Sequence, residues 1–570
     1  MKNKYPVHFL QEITNKINKR NVSEVTLATG KTPSGHIHIG ILREIIICDA
    51  LRRIFEAQNK KVKSVLYFDS FDAAKRFPDY IDNTFQKKHR GKPFALIPCP
   101  YDDCNCESYA KHFGDELIST FDDFGIKTEI IWTYQIYQER RMQEKIKLAL
   151  QNTKKIKEII RKYILPTLED EKKEEFIEMQ KDWMPAMVLC EKCNKLQTIL
   201  EDGSISPNRV KEYNEEKDTI YYECPACGHS GEISIFSGNI KLNWRVDWPA
   251  KWSLLKTTCE PAGKDHCVKG GAYDSGLELC NQIFGYKGPI KLPYEWVRLG
   301  ERDMKTSKGI VFIPKNYLRL ADPELFRMLI LRTNPMKHIS FRIEEIPQYY
   351  DSLERMENIY YDIEKVEDSE EKKLVNFLYP LIKIGAISKR KPERLSIKLL
   401  VFFAQIQNIL SFEKIYSKAK EIMQKKDFKK IISKEKFSLI LQRSENWINY
   451  IKKLIEEEND PKFQRKITKK IPLFEIPEKI NTDVIESLTE DQKKAVSLLQ
   501  KFLENNDDLD KDKIQNKIFS IAKEELQMKP KKVFQAIYKI LLGKKYGPRL
   551  GSFLKQLDKD WVINRLNLNE

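Results

Sequence analysis

"VTLATGKTPSGHIHIG", Val25 to Gly40, runs an apolar strand into Gly-Lys-Thr, then Pro-Ser-Gly, then two histidines. A phosphate loop is the first reading the stretch invites, and the spacing excludes it. The Walker pattern requires a glycine five residues before its Gly-Lys-Thr, and Val25 stands there. What remains is a strand-to-helix turn where backbone approaches a ligand, with imidazoles beside it and a helix predicted over 41–57. Free N–H groups at such a helix start suit an anion such as triphosphate.

Outward from this turn, residues 22–95 alternate strand and helix: "EVTLATG", the helix 41–57, then "KVKSVLYFDSFD" as a second strand. That is the start of a doubly wound, parallel-sheet nucleotide-binding domain. Cysteine clusters and a charged helical stretch, 135–182, interrupt it over 96–239. Strand and turn signals return over 240–320 in "SGNIKLNWRVDWPAKW", where Trp248 reads as strand core, and in "PAGKDHCVKGGAYDSG". From about residue 340 the apolar period is helical, as in "KVFQAIYKILLG". The proline- and charge-rich stretch 455–490 reads as a linker between two helical parts. The predicted class is α/β plus all-α: a Rossmann-type doubly wound domain with an insertion, then helical C-terminal domains.

Length and charge bound the function. A chain of 570 residues holds about three or four domains. The formal net charge is +17, with +11 in residues 331–570 and +6 in 1–330. A basic C-terminal half suits a polyanion, nucleic acid before membrane surface, although lysine-rich solvated faces look the same. No apolar run approaches the ~18 residues of a membrane span; "LLVFFA", 399–404, stops at Gln405. The N-terminus lacks the apolar core of a signal peptide, so a cytoplasmic protein is expected.

Eleven cysteines include three tight clusters, which points to metal ligands in a reducing compartment. Cys190-x-x-Cys193 and Cys224-x-x-Cys227 can close a tetrahedral zinc site, although the 30 residues between them exceed the usual ribbon loop. "PCPYDDCNCESYAKHF" offers Cys99, Cys104, Cys106 and His112 at irregular spacing, equally compatible with no metal. The loop "WVRLGERDMKTSKGI", 296–310, carries lysines and hydroxyls suited to neutralising phosphate charge, or to an exposed basic turn.

Read together, these motifs resemble a known family. Pro33 to Gly40 is similar to the HIGH signature of class I aminoacyl-tRNA synthetases, and Met304–Gly309 to their KMSKS loop. More narrowly, "GKTPSGHIHIG…RE", "WRVDWPAKW", "GKDH…GGAYDSG", "PYEWV" and the C-terminal "IYKILLGKKYGPRLGSFL" resemble the class I lysyl-tRNA synthetases of archaeal type, in order along nearly the whole chain. Two positions depart from the pattern. Ile41 replaces the last histidine of HIGH, and Asp303 and Thr306 alter the KMSKS loop, leaving Lys305 and Lys308 to supply charge.

The resemblance implies ATP-dependent attachment of L-lysine to tRNA(Lys) through lysyl-adenylate. It implies His36, His38, Lys305 and Lys308 as catalytic residues, and Pro33, Ser34, Gly35, His38, Gly40, Lys305, Ser307 and Lys308 around ATP. Gly30, Thr32, Trp244, Asp247, His266 and Tyr294 would form the lysine pocket, with Asp247 meeting an ammonium. Magnesium would accompany ATP, two structural zinc ions would fill the cysteine clusters, and a monomer is favoured. The implied domains are 1–95 and 240–320 for the two catalytic halves, 96–239 for a zinc-containing insertion on the acceptor-stem side, 321–375 for a stem-contact connection and 376–570 for anticodon binding. Another class I enzyme of different amino-acid choice, or a zinc-containing tRNA-binding protein without catalysis, would share many of these features.

Overall fold

Strand β1 (Val25–Lys31), which opens the quoted stretch, is the middle of a five-stranded parallel sheet in this computed structural model. The structure describes residues 7–568 apart from 201–202, 301–303, 305–310, 427, 430, 459 and 508. Its other strands are β2 (Val62–Phe68), β3 (Glu129–Trp132), β4 (Cys259–Gly263) and β5 (Ile290–Tyr294). The spatial order is β5-β4-β1-β2-β3. The chain builds outward from β1 to β3, then returns to the other side of β1 to lay down β4 and β5. This reversal is the Rossmann-type switch point, and it leaves a crevice outside the carboxyl ends of β1 and β4.

Register fixes the crevice floor. Val25 pairs with Val62 and Lys31 with Phe68, while Leu27 pairs with Cys259 on the opposite side. Leu27 and Ala28 are fully buried, as both faces of a central parallel strand require. The crossover from β1 to β2 is the helix Leu42–Ala57, preceded by a 3₁₀ turn at Ile39–Ile41. The predicted helix is present.

The long connection between β3 and β4 begins with the helices Thr133–Tyr137, Arg140–Gln151, Thr153–Ile164 and Asp170–Met179 and continues into short antiparallel strands. Val210–Asn214, Thr219–Glu223 and Ser230–Ser234 form a three-stranded sheet, and Gln197–Ile199 pairs with Ile205–Pro207. All of these strands except Ser230–Ser234 occupy the long interval between the two cysteine pairs. Helices and strands share one apolar core that includes Ile146, Ile156, Val188, Tyr222 and the cysteines Cys190 and Cys224.

One expectation fails here. "WRVDWPAKWSLL" is a helix, Trp244–Leu255, and only Ile240–Leu242 before it is strand. Burial of Val246, Asp247, Ala250 and Trp252 at helical spacing outweighs the tryptophans' preference for strands.

Among the described residues, two compact units divide the chain: 1–318, 322–342 and 351–389 form one, and 319–321, 343–350 and 390–570 the other. Within residues 390–570 the second unit is helical, from Ile397–Gln405 to Lys559–Leu566. The stretch read as a linker is built into it. Helix Lys434–Glu458 runs into that stretch, Pro461–Lys470 follows, and Phe474 is buried against Phe402 and Phe553. The Phe474 N–H donates to Gln405 Oε1 (2.7 Å), which pins the extended part to the helices.

Candidate active site

After Lys31 the chain leaves β1 and turns through Thr32–His38 into the 3₁₀ turn. His38 caps that turn, its Nδ1 accepting from the Gly40 N–H at 3.2 Å. Gly40 has no alternative, because a Cβ there would stand 2.8 Å from the His38 ring. Gly30 is constrained likewise, since its Cβ would meet the Tyr67 ring at 2.2 Å. Two glycines thus let rings pack on backbone at the switch point.

A cavity of about 1160 Å³ opens there. Of the expected residues, Gly30, Thr32, Ser34, His38, Gly40, Trp244, Asp247, His266 and Tyr294 line it. Pro33, Gly35 and His36 do not. Lys305, Ser307 and Lys308, with the altered Asp303 and Thr306, lie outside the described residues, and of the KMSKS-like segment the buried Met304 is described.

The two histidines are parted. His38 is held near the cavity, and burial, reinforced by Lys31, lowers its pKa to about 4, so it is a neutral donor at pH 7. His36 instead places Nδ1 2.8 Å from Glu116 Oε2, its backbone N–H donates to Tyr80 Oη at 2.8 Å, and its ring stands edge-on to Phe113.

Asp247 is also already engaged. It accepts from Tyr137 Oη at 2.6 Å and faces Lys241 at 3.3 Å and Lys251 at 3.2 Å. Lys241 reaches on to Asp72 (3.0 Å), and Lys251 to Asp69. Burial pushes the Asp247 carboxyl up, but Lys241 and Lys251 overcome this and hold it below its ordinary range. Asp69 shows the reverse balance: burial exceeds the pull of Lys251, and its pKa stands at about 6.

Two other carboxyls lining the cavity were not singled out from sequence. Glu44, from the helix that follows the turn, accepts the Tyr294 hydroxyl, and burial raises it to about 8. Glu260 on β4 accepts from Tyr67 Oη (2.6 Å), Trp248 Nε1 (2.8 Å) and Trp252 Nε1 (2.7 Å), yet burial still raises it. Among the described residues no cation forms an ion pair with either. Their signal was present: Glu44 closes the quoted "…RE", and Glu260 is the one charge in the strand "CEPAG".

Both cysteine groups come together. The ligand atoms of Cys190, Cys193, Cys224 and Cys227 lie within 4.8 Å of one another, as do those of Cys99, Cys104, Cys106 and His112. Sγ–Sγ separations of 3.7 Å (Cys190–Cys227) and 3.6 Å (Cys193–Cys224) suit thiolates at ~2.3 Å around one tetrahedral ion. Each Cys-x-x-Cys turn closes alike: the N–H groups of Asn194 and Gly228 return to the carbonyls of Cys190 and Cys224 at 2.9 Å, both residues having positive φ. In the second group His112 Nδ1 lies 3.4 Å from Cys99 Sγ and 3.3 Å from Cys104 Sγ. Each group can hold a metal ion.

A switch-point cavity entered by a histidine-capped turn, on a Rossmann-type sheet with a cysteine-rich insertion, defines a class I tRNA synthetase. The chain belongs to the class I tRNA synthetases (K), whose family model matches residues 4–381. An anticodon binding domain matches residues 461–569. The lysine–tRNA ligase of Methanocaldococcus jannaschii is 34% identical, over 99% of this chain and 100% of its own length. That of Methanococcus maripaludis is 33% identical, over 99% and 100%. A solved glutamate tRNA ligase from Elizabethkingia meningosepticum is 12% identical at TM-score 0.39, covering 95% of this chain and 98% of that one. Among the described residues no helix is long and apolar enough to cross a membrane.

Proposed function

We propose that this chain attaches L-lysine to tRNA(Lys) in two steps, forming lysyl-adenylate from lysine and ATP and then passing the lysyl group to the terminal adenosine. The observation that carries the choice of lysine is the pair Glu44 and Glu260, buried carboxyls of the cavity that form no ion pair among the described residues. Burying an ammonium is costly unless a carboxylate meets it, and these two supply what a lysine side chain needs.

In the first step a lysine carboxylate oxygen attacks the α-phosphorus in line, and pyrophosphate leaves. Such a reaction needs positioning and charge stabilisation more than covalent help. His38 and the N–H groups of the turn face phosphate oxygens. Pro33, Ser34, Gly35 and Gly40 shape the nucleotide's bed, and Lys305, Ser307 and Lys308 close on the leaving group. Gly30, Thr32, Trp244, His266 and Tyr294 enclose the lysine. Asp247 serves the pocket by holding Lys241 and Lys251 in place rather than by direct contact. Magnesium supplies further charge neutralisation when bound with ATP.

Cys190, Cys193, Cys224 and Cys227 hold one structural zinc, and Cys99, Cys104, Cys106 and His112 a second. The insertion, 96–239, braces the acceptor end of tRNA, residues 321–375 contact its stem, and the basic region 376–570 takes the anticodon, with bases on aromatic or arginine planes. The enzyme works in the cytoplasm as a monomer. ATP–pyrophosphate exchange with each of the twenty amino acids, with and without tRNA, tests the proposal: lysine alone supports exchange. Exchange driven by another amino acid overturns the choice of lysine.

A further inference from the structure

Lys31 ends β1 at the switch point and lines the cavity beside His38 and Glu44. The other lysines at the cavity's interior wall spend their charge on the fold: Lys241 on Asp72 and Asp247, Lys251 on Asp69 and Asp247. Arg43, on the same helix as Glu44, donates to the backbone carbonyls of Glu295 (2.6 Å), Pro335 (2.9 Å) and Lys337 (2.9 Å). Lys31 differs. Among the described residues no carboxylate lies within ion-pair distance of its ammonium, and Glu44 acts on it only through space. Burial lowers its pKa, the mark of a cation whose hydration has not been replaced.

A partly exposed ammonium that faces a cavity, with no carboxylate within ion-pair distance among the described residues, is retained where something outside the fold uses it. A lysine substrate carries ammonium groups at two places and one anionic group, its carboxylate; ATP is anionic along its phosphates. Lys31 therefore favours the carboxylate and the α-phosphate over the ammonium groups, even where one of those groups meets Glu44 close by. Those two anions must meet, and the neutral His38 can offer a hydrogen bond but no charge.

We propose that Lys31 bridges the substrate carboxylate and the α-phosphate during adenylate formation. The inference rests on the adenylate-forming reading above. A carboxylate oxygen gives its electron pair to the α-phosphorus, the bond from that phosphorus to the oxygen bridging to the β-phosphate breaks, and pyrophosphate departs with those electrons. Lys31 keeps its proton throughout and stabilises the charge crowded at the reacting centre.

The test is ATP–pyrophosphate exchange, with tRNA present, for full-length wild type and for Lys31→Met, Lys31→Gln and Lys31→Arg. In the Met and Gln variants kcat should fall about a hundredfold or more, with KM for ATP and lysine moving less than about threefold. Arg, which keeps the charge, should recover to within about tenfold of wild type. The melting temperature of Lys31→Met should equal or exceed that of wild type, because a partly desolvated cation has gone. If Met unfolds the chain, the contrast between Gln and Arg decides. Exchange within about threefold of wild type in the uncharged variants overturns the proposal. So does a lowered KM for lysine in those variants, since Lys31 would then have been competing with the substrate's ammonium. Running all twenty amino acids separates the two readings. A wild type that answers to another amino acid overturns the choice of lysine, while Lys31 is tested on that amino acid. A wild type that exchanges with none overturns both.

Discussion

Two kinds of charged group stand at the switch-point cavity, and they answer to different demands. Around Asp247 the charges are closed on themselves, two lysines and a tyrosine hydroxyl meeting one carboxylate, with Asp69 and Asp72 completing the set. Around Glu44 and Glu260 the carboxyls have hydroxyl and indole donors but, among the described residues, no ion pair; Lys31 and Lys251 act on them only through space. The first region is a finished piece of fold. The second lacks such a partner, and on the proposed reading its buried acid, raised to about 8, is where the substrate's cation would repay its burial. The contrast separates a residue that lines a pocket from one that binds what enters it.

The largest effect expected from breaking this contrast is on the closed side. Asp247→Asn leaves Lys241 and Lys251 facing each other with less to neutralise them. Removing one partner of a buried charge cluster costs about 3–5 kcal/mol of stability. Thermal or urea unfolding should register this as a general loss, with activity falling alongside at any lysine concentration. A variant of unchanged stability with only a raised KM for lysine would show Asp247 to be a direct ligand.

The open side should respond in the opposite manner. Glu44→Gln keeps the shape and the Tyr294 contact but cannot ionise to meet an ammonium, costing about 1.5–3 kcal/mol, or roughly ten- to a hundredfold in kcat/KM for lysine. Stability should hold or rise, since an uncompensated buried carboxyl has been removed. Steady-state kinetics and melting on the same preparation check both signs. If kcat/KM for lysine is untouched, the ammonium is held elsewhere.

The same carboxyl gives a pH signature. Burial raises Glu44 from the ordinary 4.5 to about 8, so the empty site holds it protonated at pH 7. For this group the fold loses stability as pH rises from 4.5 through 8, because the unfolded carboxyl ionises first. An entering ammonium favours the ionised form and releases a proton. Lysine affinity should therefore improve up to about tenfold per unit between about pH 6 and 8, toward a plateau above. Calorimetry in buffers of different ionisation enthalpy reads the released proton directly; binding without proton release would remove Glu44 from the ammonium site.

How much of this was legible beforehand follows from which signals are local. The β1 strand, the glycine-bearing turn and the helix after it are written in adjacent residues, and so is each Cys-x-x-Cys pair. The helix at Trp244–Leu255 was misread because tryptophans at 244 and 248 favour a strand, while the burial that makes it a helix comes from distant partners such as Tyr137 and Glu260. Asp247 and Glu260 look alike in sequence, each an acid among apolar neighbours. Only the fold reveals that lysines 241 and 251 form ion pairs with the first and that, among the described residues, none does with the second.

The smallest effect concerns His36, and it sharpens the contrast at its most local. His36 and His38 stand two residues apart, and the sequence offers no reason to separate them. Past Ser34 the backbone changes course. The His36 N–H goes to Tyr80, its ring settles against Phe113, and Glu116 takes Nδ1 at 2.8 Å, while His38 turns into the cap of the 3₁₀ turn. On the proposed reading His36 is satisfied by the fold, as Asp247 is, and His38 is left to the ligand. His36→Asn should lower kcat for pyrophosphate exchange by less than about threefold, whereas His38→Asn should lower it about a hundredfold by removing a donor to developing charge. The side chain of His36 is partly exposed, 32%, so its pair with Glu116 adds at most about 1 kcal/mol to stability. Equal losses in the two variants would mean that His36 swings from Glu116 to the nucleotide when ATP binds, and the division between closed and open groups would then fail at this turn.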